Sequence, residues 1–339
     1  MDNDDRVSAG KLNLPKLHHY VPQFLLRGFA FRRKREAYVY AYDKQTDRVF
    51  PTNVRNAAAE TGFNNARIGG AVVSAEGVMG ALEDDVAPLV QRIVREESLA
   101  WLSEEERAKL SLFTAVQLTR TRNYRDMLGQ AQNRLAEALR RRGIDPEALE
   151  GYEEPTEDML AAQQLRAAFS AHEVAPLIHD KTWVLLRNST PRPYFTSDNP
   201  VAFQNTKHKR PGALGLGAAG IEIYLPLSSR FTLSMVCTGY EEQLRDIAAT
   251  SELLRLLGAL PPELEENSRR VDAMLSAIRD GTPLEQTAEN VTNQNSLQVL
   301  SATRYVYSDT DDFDLVRHML EEEPDLRSGG PEVVVDELA

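Results

Sequence analysis

The chain has 339 residues, of which 42% are hydrophobic and 27% are charged. Such a chain is long enough for one large globular domain or two closely packed ones. Its single cysteine, Cys237, excludes an intrachain disulfide and a cysteine-rich zinc site. No apolar run approaches the roughly 20 residues that span a bilayer, and the acidic N-terminus lacks the pattern of a secretory signal. We therefore expect a cytoplasmic protein.

The net charge of −12 is distributed unevenly along the chain. Residues 1–56 carry eleven Lys and Arg against six Asp and Glu, including the run Arg32-Arg33-Lys34-Arg35. Residues 319–339 carry seven acidic residues and one Arg. A basic run can attract phosphates. We favour a solvated turn between a helix and a hairpin, because a single cluster of this length in an acidic protein argues little for a phosphate site.

The first predicted elements follow residues 1–15, which we expect to be disordered. Pro22 can begin a short helix, because a first turn does not need its missing N–H, and residues 24–31 supply an apolar face. Aromatic and β-branched residues on both sides of a polar turn, residues 43–47, predict a β-hairpin.

The middle of the chain has helical periodicity. The spacing of apolar residues predicts helices over residues 74–97, 103–142 and 157–177. Ser103 and Glu106 form a capping box at the start of the second helix. Gly143 marks its end.

The pattern changes to strands after residue 181. Aromatic and β-branched residues predict strands over residues 182–187, 194–196, 221–225 and 231–237, with a glycine-rich loop over 211–220 and a closing strand over 304–308. Helices return between residues 240 and 301.

Segregated helices and strands predict an α+β fold instead of a doubly wound sheet. We expect a helix-rich single domain with an N-terminal β-hairpin and a mainly antiparallel central sheet flanked by long helices. The predicted domain covers residues 16–309, with a helical middle over 74–177 and a sheet-containing part over 182–308. An acidic C-terminal tail, residues 310–339, follows it.

Several motifs resemble those of a known bacterial family. They lie at residues 18–26 (HHYVPQFLL), 42–43, 83, 117–122, 195–201 (FTSDNPV), 225–228 and 302–308. On these residues the chain resembles domain of unknown function 4238 from about His18 to Asp309. The first and fifth motifs are the most specific. The resemblance implies a fold neighbourhood and leaves the function open.

His18 and His19 are the first candidate site residues. Adjacent residues on a strand point to opposite faces, so at most one of them can reach a given pocket. The run is similar to the His-His-hydrophobic-Val-Pro segment of some HNH nucleases, where a histidine activates water beside a metal. Here no further histidine follows until His172, so the spacing argues against that site. One imidazole capping backbone groups, or a part in another polar site, are the remaining interpretations.

The segment from Thr196 to Pro200 is the second candidate. It places Ser197, Asp198 and Asn199 at the end of a predicted strand, where functional sites commonly lie. An Asx-type turn before the proline is the simpler interpretation. No Gly-x-Ser-x-Gly elbow surrounds Ser197, so a hydrolase nucleophile is unsupported.

Three helical residues, Glu83, Gln117 and Arg120, are the third candidate. Glu83 shares a helical face with apolar residues, where an unpaired carboxylate is unfavourable. Gln117 and Arg120 are three residues apart and share a face, so Arg120 is a natural partner for Glu83. The group is either a structural ion pair or the floor of an anion-binding pocket.

Two hypotheses for the function remain. In the first, the protein is a nuclease-like hydrolase acting on a phosphodiester or nucleic acid, with His18 or His19 as general base or metal ligand and Asp198 orienting it. The substrate-binding residues would be Glu83, Gln117, Arg120, Ser197 and Asn199. A divalent metal is left open, the expected partner is an anionic ligand or nucleic acid, and no membrane partner is expected.

The second hypothesis is a non-enzymatic regulatory module that binds a nucleotide or a protein. In that case the same polar residues hold the fold together. Catalytic partners must lie within hydrogen-bond reach of each other, directly or through one water. Candidate segments that lie further apart than that therefore favour the module.

Overall fold

The structure is a computed structural model that describes residues 17–33, 35–207 and 215–328. The predicted disordered segment 1–15, Lys34 of the basic run, part of the glycine-rich loop and the tail beyond residue 328 lie outside the described residues.

Ten α-helices lie in the described ranges. They are α1 Gln23–Leu26, α2 Glu76–Glu96, α3 Glu104–Thr119, α4 Arg122–Arg141, α5 Glu157–Phe169, α6 Ala171–His179, α7 Gly239–Leu256, α8 Pro262–Asp280, α9 Ala288–Ser301 and α10 Asp314–Glu322. No described helix combines the length and the apolar character that a membrane crossing requires.

The strands of the described ranges form two five-stranded sheets and two short ribbons. They are β1 Leu17–His19, β2 Phe31–Arg33, β3 Glu36–Asp43, β4 Arg48–Asn53, β5 Ala59–Thr61, β6 Asn65–Ile68, β7 Ala71–Ser74, β8 Thr182–Asn188, β9 Thr196–Ser197, β10 Ala202–Asn205, β11 Ile221–Pro226, β12 Phe231–Val236, β13 Leu284–Gln286 and β14 Tyr305–Ser308.

The first sheet has the order β10-β11-β12-β8-β13, and the second has the order β2-β3-β14-β9 with β4 on β3. The ribbons are β1-β5 and β6-β7. Among these pairs only β13 with β8 is parallel. The predicted α+β class, the N-terminal hairpin (β3 and β4) and the mainly antiparallel sheet are confirmed.

The helical middle contains two breaks that the periodicity does not show. The predicted helix over residues 103–142 is wrong as a continuous element, because Arg120 ends α3 and Thr121 caps α4 by accepting from the Tyr124 N–H at 3.3 Å. A threonine in that position satisfies an amide that the helix start leaves unpaired. The predicted helix over 157–177 is likewise divided at Ser170 into α5 and α6.

The basic run also differs from its expected structure. Arg32 and Arg33 lie on β2 instead of in a turn, because β2 pairs with the first residues of β3. Arg35, directly before β3, has φ 68°, a backbone conformation that favours glycine.

The first motif and Phe29, which follows it, are buried in a core that the helical middle and the first sheet share. Val21, Leu25 and Phe29 are at most 1% exposed. They belong to one hydrophobic cluster with Phe113 of α3 and Leu233 of β12. The N-terminal segment is therefore held between the helical middle and the first sheet.

Candidate functional site

A cavity of about 570 Å³ lies between the N-terminal segment, the residues before β5, the start of α4 and β14. We call it the aromatic cavity, because its lining includes the rings of Tyr20, Phe50, Tyr305 and Tyr307. The charged residues in the lining are Glu60, Arg122, Asp126, Asp198 and Arg304. The cavity thus combines aromatic faces with groups of both charges.

Sheet alternation places three of the four rings. Tyr305 and Tyr307 are two residues apart on β14 and therefore share a face. Tyr307 pairs with Ala41 of β3, and Ala41 also pairs with Phe50 of β4. The Phe50 and Tyr305 ring centroids lie 6.3 Å apart, edge to face, and the Tyr305 and Tyr307 centroids lie 6.2 Å apart. The rings form a continuous wall.

Two arginines border this wall. The Arg304 guanidinium carbon lies 4.9 Å from the Tyr305 ring centroid, and the side chain pairs with both oxygens of Asp43 at 3.1 and 2.7 Å. Arg122 Nε lies 3.0 Å from Asp126, and a terminal nitrogen lies 3.9 Å from Glu60. Burial raises the pKa of Asp126, and Arg122 opposes that shift.

Asp198 is buried and holds the strand that carries the cavity tyrosines. Its oxygens accept hydrogen bonds from the backbone N–H groups of Thr303, Arg304 and Tyr305 at 2.8 to 2.9 Å. Complete burial raises the pKa of Asp198 to about 6, although these three hydrogen bonds oppose the shift. The Asp198 carboxylate therefore holds the backbone of residues 303–305 in position at the edge of the cavity.

Ser197 and Asn199 bind α9. Ser197 Oγ donates to the Gln298 side chain at 3.0 Å and accepts from the Asn199 N–H at 3.2 Å. Asn199 Nδ2 donates to the Ser301 carbonyl at 3.2 Å. The Asx-type turn expected from sequence, in which Asp198 and Asn199 bond their own backbone, is wrong: Ser197 makes the local turn contact, while Asn199 binds α9 and Asp198 binds residues 303–305.

The two histidines of β1 have different environments. His18 is fully buried, and its Nδ1 accepts from the Asn64 N–H at 3.0 Å and lies 3.6 Å from the Glu76 carboxylate. His19 Nε2 lies 3.0 Å from the carbonyl oxygen of Arg55, and burial lowers the pKa of His19.

Two of the helical candidates, Gln117 and Arg120, bind the backbone at and just after the end of β1. Arg120 donates to Glu83 at 2.7 Å and to the His19 carbonyl at 2.6 Å, and Gln117 donates to the Tyr20 carbonyl at 2.8 Å. Burial raises the pKa of Glu83, and Arg120 opposes that shift.

The predicted site residues therefore form two hydrogen-bonded clusters. One contains β1 with Glu83, Gln117 and Arg120, and the other contains the residues from 197 to 199 with α9 and β14. They approach each other at the aromatic cavity, where Tyr20 and Asp198 both belong to the lining. Within the described ranges, no group of three or more His, Cys, Asp or Glu is placed to hold a metal ion.

Sequence reasoning missed Phe50, Glu60 and Asp126 of the cavity. Their chain neighbourhoods carry no distinguishing pattern, because the cavity forms only when β4, β5 and α4 come together. Tyr305 and Tyr307 had a signal, since their alternation in the predicted closing strand puts both rings on one face.

The protein has an α+β fold with a cavity that polar and aromatic residues line. Two buried polar clusters border this cavity. The chain belongs to the family described as "Protein of unknown function (DUF4238)", whose model matches residues 17–312. Comparisons with curated proteins and with solved structures gave no match.

Proposed function

We propose that the protein is a non-enzymatic regulatory module that binds a nucleotide in the aromatic cavity. The observation that carries the proposal is a cavity of about 570 Å³ lined by four aromatic residues and two arginines, in which Phe50 and Tyr305 expose ring surface while Tyr20 and Tyr307 are almost fully buried. This volume lies in the range of small-molecule sites, which are roughly 300 to 1,000 Å³. Stacking of a base on an aromatic side chain contributes about 1 to 3 kcal/mol.

Polar groups of the cavity wall also fit a ligand. Thr303 Oγ1 is buried, lines the cavity and has no hydrogen-bond partner among the described residues. A buried hydroxyl without a partner is costly. Because Oγ1 itself is not exposed to the cavity, a ribose or base edge would supply that partner only after rotation of the Thr303 side chain.

The hydrolase hypothesis has less support from the contacts. It assigns proton transfer to a histidine and Asp198, but the Asp198 oxygens accept from three backbone amides. His18 Nδ1 accepts from another backbone amide. Both contacts are those of structural residues, and the two candidate clusters are separate. These observations favour the binding module.

Titration calorimetry with ATP, GTP and UTP tests the proposal. We expect at least one nucleotide to bind, and Phe50→Ala to weaken that binding by about tenfold, as the loss of one stacking contact implies. Phe169→Ala is the matched control, because Phe169 is a similarly exposed ring on α5 outside the cavity. Equal affinity for the two variants, or no nucleotide binding at all, would contradict the proposal.

A parallel assay separates binding from hydrolysis. We expect no release of phosphate from bound nucleotide and no cleavage of a phosphodiester panel. Activity that His18→Ala or Asp198→Ala abolishes in a folded variant would establish the hydrolase hypothesis instead.

A further inference from the structure

A second cavity has a volume of about 380 Å³, and the charged residues of its lining are almost all basic. Its arginines come from four places in the chain: Arg27 after α1, Arg32 on β2, Arg35 in the β2–β3 connection and Arg55 after β4. Glu36 is the one acidic residue among its lining residues. We call it the arginine pocket. None of its lining residues belongs to the aromatic cavity.

Most of this positive charge has no acidic partner. Among the described residues, no carboxylate lies within ion-pair distance of Arg27, Arg32 or Arg35. Arg55 pairs with Glu36 at 3.3 Å, and both side chains are well exposed, so the attraction is modest. The chain has a net charge of −12. The arginine pocket is therefore a basic surface on an acidic protein.

Hydrogen bonds between exposed side chains order part of the pocket. Gln23 accepts from Arg27 at 3.2 Å, and Asn53 donates to Glu36 at 2.9 Å, which orients the partner of Arg55. Arg35 occupies a left-handed position, φ 68°, where glycine is the unstrained residue. The pocket therefore carries an arginine at a place where the backbone alone favours another residue.

We propose that the arginine pocket binds phosphate groups. Guanidinium groups donate planar pairs of hydrogen bonds that match phosphate oxygens, and several of them around one concavity fit a diphosphate or two successive phosphates of a chain. The ligand chemistry is shared by two sources, a free polyphosphate and the backbone of an oligonucleotide. This site is independent of nucleotide binding in the aromatic cavity.

Titration calorimetry of the full chain with pyrophosphate tests the proposal, because pyrophosphate has no base to stack in the aromatic cavity. We expect binding that weakens as KCl rises, and a loss of about tenfold or more in Arg32→Ala/Arg35→Ala. The control is Arg269→Ala/Arg270→Ala, which removes the same charge from adjacent exposed positions on α8. It should stay within about twofold of the unmodified chain.

Two further measurements make the outcome specific. Arg32→Lys/Arg35→Lys keeps the charge but not the paired geometry, so its affinity should lie between the other two. A single-stranded 12-mer that binds more tightly than pyrophosphate, with the same loss in the alanine variant, identifies a nucleic-acid backbone as the source; tighter pyrophosphate binding identifies a free polyphosphate.

Three results would overturn the proposal. They are no binding of either phosphate probe, equal losses in the α8 control, and equal affinity for an octaglutamate peptide, which would show a general anion surface. Phe50→Ala should leave pyrophosphate binding unchanged, so failure of this proposal and failure of nucleotide binding are distinguishable.

Discussion

Asp198 lies beside the junction of α9 and β14, and its carboxylate accepts three hydrogen bonds from successive backbone N–H groups. An ionised carboxylate can satisfy all three amides, because it has two accepting oxygens and no donor. The same carboxylate is completely buried, and burial raises its pKa to about 6. The Asp198 carboxylate is therefore well placed to accept the three hydrogen bonds, but its burial makes ionisation unfavourable.

We expect Asp198→Asn to lower the free energy of unfolding by about 1 to 3 kcal/mol, because the amide NH₂ would face a backbone donor. The effect should depend on pH. The pKa of Asp198 is about 6 in the fold against an ordinary value of 3.8, so its protonated form is favoured by folding. That contribution is complete below pH 3.8 and is lost as pH rises through 6.

Urea unfolding at several pH values between 4 and 7 measures both effects. The stability difference between the native chain and Asp198→Asn should shrink as pH rises. Asp272→Asn, at an exposed position on α8, is the control and should change stability by less than about 0.5 kcal/mol. Similar results for the two variants would show that the three hydrogen bonds contribute little.

The sequence could predict a turn before Pro200, but neither the side chain that makes it nor the partners of Asp198. The local contact is made by Ser197 Oγ, which accepts from the Asn199 N–H, and not by the Asp198 or Asn199 side chain that an Asx-type turn would use. Thr303 and its neighbours are more than a hundred residues away in the chain, so no local pattern links them to Asp198. The same holds for Arg120, whose sequence neighbours do not reveal its contact with the His19 carbonyl.

At the scale of elements, Gly28, two residues after the first motif, shows how the N-terminal segment meets the first sheet. A Cβ atom at this position would overlap the carbonyl oxygen of Leu227 in the β11–β12 turn. The Gly28 carbonyl also accepts from the Ser229 N–H at 3.0 Å. The N-terminal segment can approach the first sheet this closely only without a side chain at residue 28.

We expect Gly28→Ala to destabilise the protein by about 1 to 3 kcal/mol, as overpacking in a close contact does. Gly77→Ala is the matched control, because Gly77 lies in α2 with no atom within 4 Å of an added Cβ. That change should stabilise by about 0.5 to 1 kcal/mol, since alanine is the better helix former. Thermal unfolding of both variants checks the signs; a shift of the same sign in both would refute the packing argument.

Prediction of the elements succeeded where patterns are long and local. The β3–β4 hairpin and α2 have sustained periodicity and matched expectation. Short strands such as β1 and β5 have three residues each and pair only with a distant segment, so their sequences carry almost no signal. The division between α3 and α4 was missed because apolar spacing continues across it, and the only local signal is the threonine that caps α4.

At the scale of the molecule, the aromatic cavity depends on one sheet. β14 pairs with β3 on one side and β9 on the other. This order brings Ala41, Asp198 and Tyr305 to one place from three distant parts of the chain. The sequence could place residues 195–201 and 302–308 among the motifs of one family. Only the strand order shows that both segments border the same cavity.

The helical middle and the sheet-containing part share their packing. Trp183 of β8 lies under the Arg107 guanidinium of α3, 4.4 Å from the ring centroid, and donates to the Ile178 carbonyl at 3.0 Å. Arg107 donates to the His179 carbonyl at 3.0 Å. One hydrophobic cluster contains residues from both parts. Separation of the two parts would expose this shared core to water.

We therefore expect the protein to unfold in a single cooperative transition. Far-UV circular dichroism reports mainly on the helices, and tryptophan fluorescence reports on Trp101 beside α3 and Trp183 in the first sheet. Two variants, Trp101→Phe and Trp183→Phe, leave one reporter in each part. Their urea midpoints should each coincide with the midpoint from circular dichroism of the same variant. Two transitions, with Trp183 fluorescence changing at a different urea concentration from the helical signal, would instead show that residues 74–177 and 182–308 fold as separate units.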